Sequence, residues 1–487
     1  CKSYGRYNYR RLVNAGEKIS INIFYNILNQ IVSFIVPLIL SPYVARVLSA
    51  ELIGDYSYAL ANSSYFVLIE ALGFSLYGML KVSANRADKN YISTLFKEIM
   101  IAKFFLMVIC IIVYTISFVW TSSDNKILCA IMIMNIISTG IDSTWFLMGM
   151  EDFKTTALRN IAVRLVNVFL IIILVKSEKD FLIYAIIMQL SNVISYIVVF
   201  PTVKKYIISS KVSFKNILKH TIKSLIYFVP GIVNTIFTSA DKTVLGAFAN
   251  SYEVGVYEQA SKICSLCGSV INSISNVVMP RVTYLNHNAS NEKSKRFMFK
   301  TLHYASIVAI AVTVGIICIS DEFVPLFFGL GYEKSAVLLK ILAFNVLMSI
   351  LANYIGQQCL ISNGKQNQYN IAISVGALLN VILNLFMVER FQSVGVSVAS
   401  VVSSGVLFWV VLVFSREIIS LKNIIQMDWK AIISAIIMFV TIYWLNFDDL
   451  FITLVVKIVV GAAVYIAILA ILREEIIQEV FGKIIRQ

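Results

Sequence analysis

"ISINIFYNILNQIVSFIVPLILSPYVA", residues 19–45, runs for 27 residues without a charged side chain. About 20 apolar residues of helix cross the ~30 Å hydrocarbon layer of a bilayer, so the stretch reads as a membrane-spanning helix. Charge-free runs of 20, 23 and 24 residues recur at Phe104–Ser123, Phe181–Val203 and Ile341–Gly364. The whole 487-residue chain is 59% hydrophobic and 14% charged, against about 45–50% and ~25% in soluble domains. A larger core does not absorb that excess, because single cores stop growing beyond ~250–300 residues. The alternating ~10-residue segments of a membrane barrel are missing. The expected fold class is an all-α polytopic membrane protein.

Extending the same reading gives about fourteen helices: 19–47, 54–80, 92–120, 126–149, 156–176, 181–203, 221–248, 253–284, 299–319, 334–362, 366–388, 392–415, 430–446 and 450–472. The basic segment 1–18 precedes a 27-residue run, not the 7–15-residue apolar region of a cleaved signal peptide. With both termini placed in the cytoplasm, inside segments hold 29 lysines and arginines against six outside. Positive charge accumulates on the cytoplasmic side of membrane proteins, which supports that orientation. It also accounts for the net charge of +14 without nucleic acid; the basic loops suit anionic membrane lipids instead.

Cys264 and Cys267 are helical i,i+3 neighbours inside a span, and only three histidines exist. Metal or cofactor chemistry would need more ligands in a wetter place, so no cofactor and no metal site are expected. No loop is long enough to host a catalytic domain, so the chain does not read as an enzyme.

The two halves resemble each other. "VPLILSPYVARVLSAELIGDYSYA" (36–59) matches "VPGIVNTIFTSADKTVLGAFANSYEVGVYEQA" (229–260), pairing Pro37 with Pro230 and Gly54 with Gly255. Gly149 matches Gly364, and Asn167 matches Asn380. A parallel repeat of six helices builds transporters with the substrate between the lobes. The expected domains are an N-terminal lobe, 1–210, a C-terminal lobe, 211–415, and two additional, peripheral helices in 416–487. Proline removes a backbone hydrogen bond and bends a helix, so both lobes are expected to begin with a bent helix. Lys204–Lys223 is expected to be an interfacial amphipathic linker, with Val212, Phe214, Ile217, Leu218 and Ile222 on one face.

At this point the residues resemble a known family. "VLSAELIGDYSYALANSSYFVLIEALGFSLYGMLKVSANRADKNYIS", "WFLMGMEDFKTTALRN", "FVPGIVNTIFTSADKTVLGAFANSYEVGVYEQASKI", "VMPRVTYL", "FVPLFFGLGYEKSAVLLKIL" and "GALLNVILN" are similar to Wzx-type polysaccharide flippases. These belong to the multidrug/oligosaccharidyl-lipid/polysaccharide exporter superfamily. The similarity runs from about Ile19 to Arg416; Ser49 departs from the family's usual glycine. The resemblance implies a two-lobed carrier in the bacterial cytoplasmic membrane. Its cargo would be a polyprenyl-diphosphate-linked oligosaccharide, with a polysaccharide polymerase and chain-length machinery as further partners.

Charges within spans are the candidate site, because a charge in hydrocarbon needs a partner or a wet cavity. "SADKTVLGAFANSYEVGVYEQASKI" (239–263) holds Asp241, Lys242, Glu258 and Lys262. Lysine and arginine suit a diphosphate, which assigns substrate binding to Arg46, Arg164, Lys242 and Lys262. Glu70, Asp241 and Glu258 are the coupling candidates, as a proton or sodium site. Plain structural roles compete. Glu258 and Lys262 have the i,i+4 spacing of a stabilising helix pair, Asp142 and Arg164 are placed to pair, and Arg46 can snorkel to the interface. Two other functions stay open: a cation-coupled drug antiporter of the same superfamily, which would want an acid-dominated lumen, and a membrane enzyme of envelope polymer assembly.

Overall fold

The computed structural model describes Tyr25 and residues 28–121, 125–288 and 291–478. The basic segment 1–18, the start of the first expected span and the last basic residues lie outside the described residues, as do the side chains of Pro230 and Pro280. The fold is all-α: eleven described helices are long and apolar enough to cross a membrane, or up to twelve if one bent pair counts as a single span. The chain divides into two compact units, 1–239 and 240–487.

The first unit opens with α1 (Leu28–Val47), α2 (Ala50–Ala71), α3 (Phe74–Ala84) and α4 (Lys89–Tyr114). It continues with α5 (Lys126–Gly140), α6 (Thr144–Gly149), α7 (Phe153–Leu174) and α8 (Phe181–Lys204). The short α9 (Phe214–Ser224) follows, and α10 (Phe228–Phe248) carries the chain into the second unit. Two expected spans are thus each broken in two, 54–80 into α2 and α3, and 126–149 into α5 and α6. The breaks are packed, not loose. Phe96 stacks on Trp145 with ring centroids 5.7 Å apart, within a buried cluster that includes Phe74, Ile99, Phe146 and Val203. Gly73, at φ +75°, lies so close to the chain after α9 that a Cβ there would stand 2.5 Å from the Ser224 carbonyl oxygen. Both the left-handed backbone and the clearance require glycine.

Helix α9 is the expected amphipathic linker. Phe214, Leu218 and Ile222 are exposed, while Ile217 packs on the first unit's core. Eleven residues of helix reach only about 16 Å, too short to span a bilayer. His220 fastens it: Nε2 lies 3.2 Å from the Glu98 carboxylate and Nδ1 lies 2.7 Å from the Tyr77 hydroxyl. A bend of 62° separates Phe214–Tyr227 from Gly231–Phe248, where the sequence carries the second Val-Pro pair.

The second unit contains α11 (Ser251–Asn288), α12 (Asn291–Phe328), α13 (Glu333–Ile355), α14 (Gln366–Phe414), α15 (Leu421–Tyr443) and α16 (Leu450–Ile471). Helix α14 has 49 residues but contains the non-helical Gln392 (φ 49°, ψ −133°). Its path of about 73 Å is more than twice a hydrocarbon layer, and the kink falls where the sequence separates spans 366–388 and 392–415. Glu253 supports the kink: it accepts the Ser393 N–H at 3.2 Å, the Ser393 hydroxyl and the Lys334 ammonium at 2.6 and 2.7 Å.

Helices α15 and α16 pack on α12 through Ile307, Ala431, Ala435, Met438, Tyr465 and Leu469. An ion pair adds to this, Lys457 Nζ to Glu322 Oε1 at 2.5 Å, with both side chains more than 90% buried. Deleting 430–487 would therefore strand Glu322. Removing one partner of a buried pair costs roughly 3–5 kcal/mol, whereas replacing both by apolar groups is often neutral. Lys457→Met is thus expected to lower the thermal midpoint of the purified protein in detergent clearly, and Glu322→Leu with Lys457→Met to restore most of it. A double variant no better than the single one would contradict the assignment.

Candidate functional site

In the first unit the site is built at the two helix breaks. Leu72 and Gly73 turn left-handed after α2, and Ile141–Ser143 interrupt α5 and α6. Broken backbone at membrane depth survives only where protein or water satisfies it. Here Lys103 does so. Fully buried on α4, it donates to the carbonyls of Thr139 at 2.7 Å and Asp142 at 3.0 Å. Cations suit such helix C-termini, where carbonyls lack partners.

Glu70, in the last turn of α2, is completely buried. Among the described residues, neither of its carboxylate oxygens has a hydrogen-bond partner, and Lys103 and Asp142 are charged groups acting on it. Asp142 does not pair with Arg164 as its position suggested. Its carboxylate turns back to the Thr144 N–H at 2.8 Å and hydroxyl at 2.6 Å, a local Asx turn. Arg164, on α7, instead donates to the Ser33 hydroxyl of α1. Arg46 is exposed near the end of α1.

In the second unit the quoted stretch divides into two sites. Successive helical residues point about 100° apart. Neighbours on α10, Asp241 and Lys242, therefore face different ways, as do Tyr257 and Glu258 on α11. Lys242 pairs with Glu258 across the two helices at 3.0 Å, with side chains 19% and 23% exposed. Lys262 acts electrostatically on both. Glu258 thus serves Lys242 directly as well as facing its own i,i+4 neighbour, and the three form a partly wet cluster of two cations and one anion.

Asp241 joins a different network. It accepts from Asn384 at 2.6 Å, Ser400 at 2.8 Å and the Tyr257 hydroxyl. Asn384 reaches Asn380 at 3.2 Å, and Asn380 reaches Ser400 at 3.4 Å. The carboxylate is buried among neutral donors, and the Asn384 side-chain oxygen has no partner among the described residues. Oxygen donors with a single negative charge suit a proton or a hard monovalent cation. Among the described residues, no group of three or more His, Cys, Asp or Glu is placed to hold a metal ion.

The sequence reading missed Lys103, Asn384 and Ser400 as site members. One signal was present for their neighbour Asn380, which the internal repeat aligned with Asn167. The two positions differ in use: among the described residues, Asn167 reaches the Met188 sulfur, at 3.5 Å.

A helical membrane fold with buried charged clusters in each of two units suits a transporter. The sequence matches the family described as "Polysaccharide biosynthesis protein" over residues 19–286. With more than half of its length matched, the chain belongs to that family. A "Putative O-antigen transporter" of Escherichia coli (strain K12) is 21% identical over 403 residues, 81% of this chain and 96% of that protein. The structure titled "Lipid II flippase MurJ, inward closed conformation" superposes with a TM-score of 0.75 at 16% identity, over 93% of this chain and 100% of that one. An inward-facing multidrug resistance MATE family transporter of the MOP superfamily gives 0.59 at 15% identity, over 79% and 97%. At these identities the two structures establish a shared fold.

The first-unit cluster makes a test of its own. Lys103→Met removes the ammonium donor from the Asp142 carbonyl, while the Thr139 carbonyl keeps the Asp142 N–H at 3.1 Å; at about 1–3 kcal/mol for the lost donor, it should lower the thermal midpoint. Glu70→Gln breaks no hydrogen bond and should leave it unchanged or raise it. The reverse order of the two variants would overturn this account of the cluster.

Proposed function

We propose that this protein is a flippase that moves polyprenyl-diphosphate-linked oligosaccharide repeat units across the bacterial cytoplasmic membrane by alternating access. Its product stream is a surface polysaccharide: O-antigen, capsule or exopolysaccharide. The chain is a carrier and performs no covalent chemistry. The observation that carries the reading is the Lys242–Glu258–Lys262 cluster, two lysines against one acid at partly buried positions on helices of the second unit. A diphosphate brings about two negative charges, and charge-assisted contacts are strong where water is scarce. Glu258 keeps Lys242 oriented and tempers the field, which favours release.

Asp241 is the coupling group of the second unit and Glu70 that of the first. Arg46 and Arg164 are the first unit's candidates for the cargo's phosphates. The lobes are 1–210 and 211–415, with 416–487 appended, and both termini are cytoplasmic. Fourteen crossings follow if α14 counts twice, the bent pair at 214–248 counts once, and α11 crosses despite its charges. Delivery to a polysaccharide polymerase and its chain-length machinery follows from the cargo. The acid-centred Asp241 network is the feature that fits the rival drug antiporter.

Complementation of a flippase-null strain, with membrane levels checked in parallel, tests the reading. A lost phosphate contact of roughly 1.5–3 kcal/mol is about ten- to a hundredfold in affinity. Lys242→Ala should therefore abolish surface polymer at normal protein level, and Lys242→Arg should keep part of it. Full complementation by both Lys242→Ala and Lys262→Ala would make these charges structural and move the diphosphate site to Arg46 and Arg164.

A further inference from the structure

Three chain ends of the second unit meet around a cavity of about 630 Å³: the start of α12, the start of α15 and the residues that follow α16. Its walls carry Arg296, Lys300 and Lys430, with the rings of Phe299, Tyr304 and Trp429. The acids nearby are mostly engaged. His303 sits between two buried carboxylates, Nδ1 at 2.6 Å from Asp428 and Nε2 at 2.8 Å from Glu474. A neutral imidazole has one N–H and can serve one of them; the imidazolium serves both. Lys430 lies 3.5 Å from Glu474 and donates to the Arg473 carbonyl at 3.1 Å. Asp428 and Glu474 are thus balanced by His303 and Lys430. Among the described lining residues, the wall carries Arg296, Lys300, Lys430 and His303 against Glu474 and Glu475.

Basic side chains mixed with tryptophan and tyrosine mark the membrane–water boundary. Trp429, on the cavity wall, belongs to an apolar stripe on α15, where Ile425, Trp429, Ile432 and Ile436 are all exposed. An occupant with an anionic head and apolar tails fits both surfaces at once, whereas a free anion would use only the head end. We propose that this cavity binds the phosphate of an anionic phospholipid, whose acyl chains lie along α15. The lipid then bridges α12 and the C-terminal helix pair at the point where His303 already joins them. This site is separate from the Lys242 cluster and does not depend on the flippase reading.

The test uses the full chain in micelles of an uncharged detergent, titrated with phosphatidylglycerol, with phosphatidylcholine or with inorganic phosphate. The readout is the Trp429 fluorescence, defined by subtracting a Trp429→Phe variant, together with the thermal midpoint. Phosphatidylglycerol should give a saturable change that phosphatidylcholine does not. Arg296→Gln with Lys300→Gln should weaken it by roughly 30-fold for two cations near an anionic lipid. Lys293→Gln with Lys295→Gln, exposed on the same first turns of α12 but off the cavity wall, should leave it unchanged. Equal weakening by the two pairs, or no weakening by the first, would overturn the site. Saturation by inorganic phosphate at the same concentration as phosphatidylglycerol would overturn the lipid assignment.

Discussion

Hydrocarbon solvates neither charge nor broken backbone, and each helix of this protein is arranged around that fact. A charge at mid-bilayer costs from ~2.5 to more than 10 kcal/mol unless it finds a partner. Lys103 finds the carbonyls of Thr139 and Asp142 and Lys457 finds Glu322; at the start of α13, Lys334 finds Glu253. Each of these contacts joins distant segments of the chain. Together they convert a hazard of the membrane into the specificity that positions α4 on α5, α16 on α12 and α13 on the kink of α14.

Not all the buried polar groups are matched so completely. Among the described residues, Glu70 has a nearby lysine but no hydrogen bond, and the hydrogen bonds to Asp241 come from the neutral Asn384, Ser400 and Tyr257. A proton or a cation would offset the charge of either acid, which is why the two are proposed for coupling. The Lys242–Glu258–Lys262 cluster is the opposite case, with surplus positive charge and partial access to water. The neighbouring pairs 241–242 and 257–258 thus place a carboxylate held by neutral donors on one face and a lysine-rich cluster on the other.

The helical membrane fold was legible because it depends on composition over about 20 residues, and the charge-free runs report it directly. The linker α9 was legible from the spacing of Phe214, Leu218 and Ile222. The helix breaks at Leu72–Gly73 and Ile141–Ser143 were not, because averaging over an apolar window hides two or three non-helical residues. The partners were also hidden: Lys103 and Thr139 are 36 residues apart, and Lys457 and Glu322 are 135 apart. Proximity in the sequence misled in the opposite direction, since Asp241 and Lys242 are adjacent yet belong to different networks. The kink in α14 was read as a span boundary, and the structure explains why the chain turns there: Glu253 holds Ser393 just past the strained Gln392.

Transport itself is the claim on which the functional account rests. Its most direct measurement is translocation in proteoliposomes that hold the purified chain and a polyprenyl-diphosphate-linked oligosaccharide. A membrane-impermeant, sugar-modifying reagent added outside reports how much cargo reaches the outer leaflet over time. The account predicts that the modified fraction rises from about half toward completion with wild-type protein and stays at the protein-free level with Lys242→Ala. Cargo that stays protected with stably folded wild-type protein, or moves equally well in the variant, would contradict it.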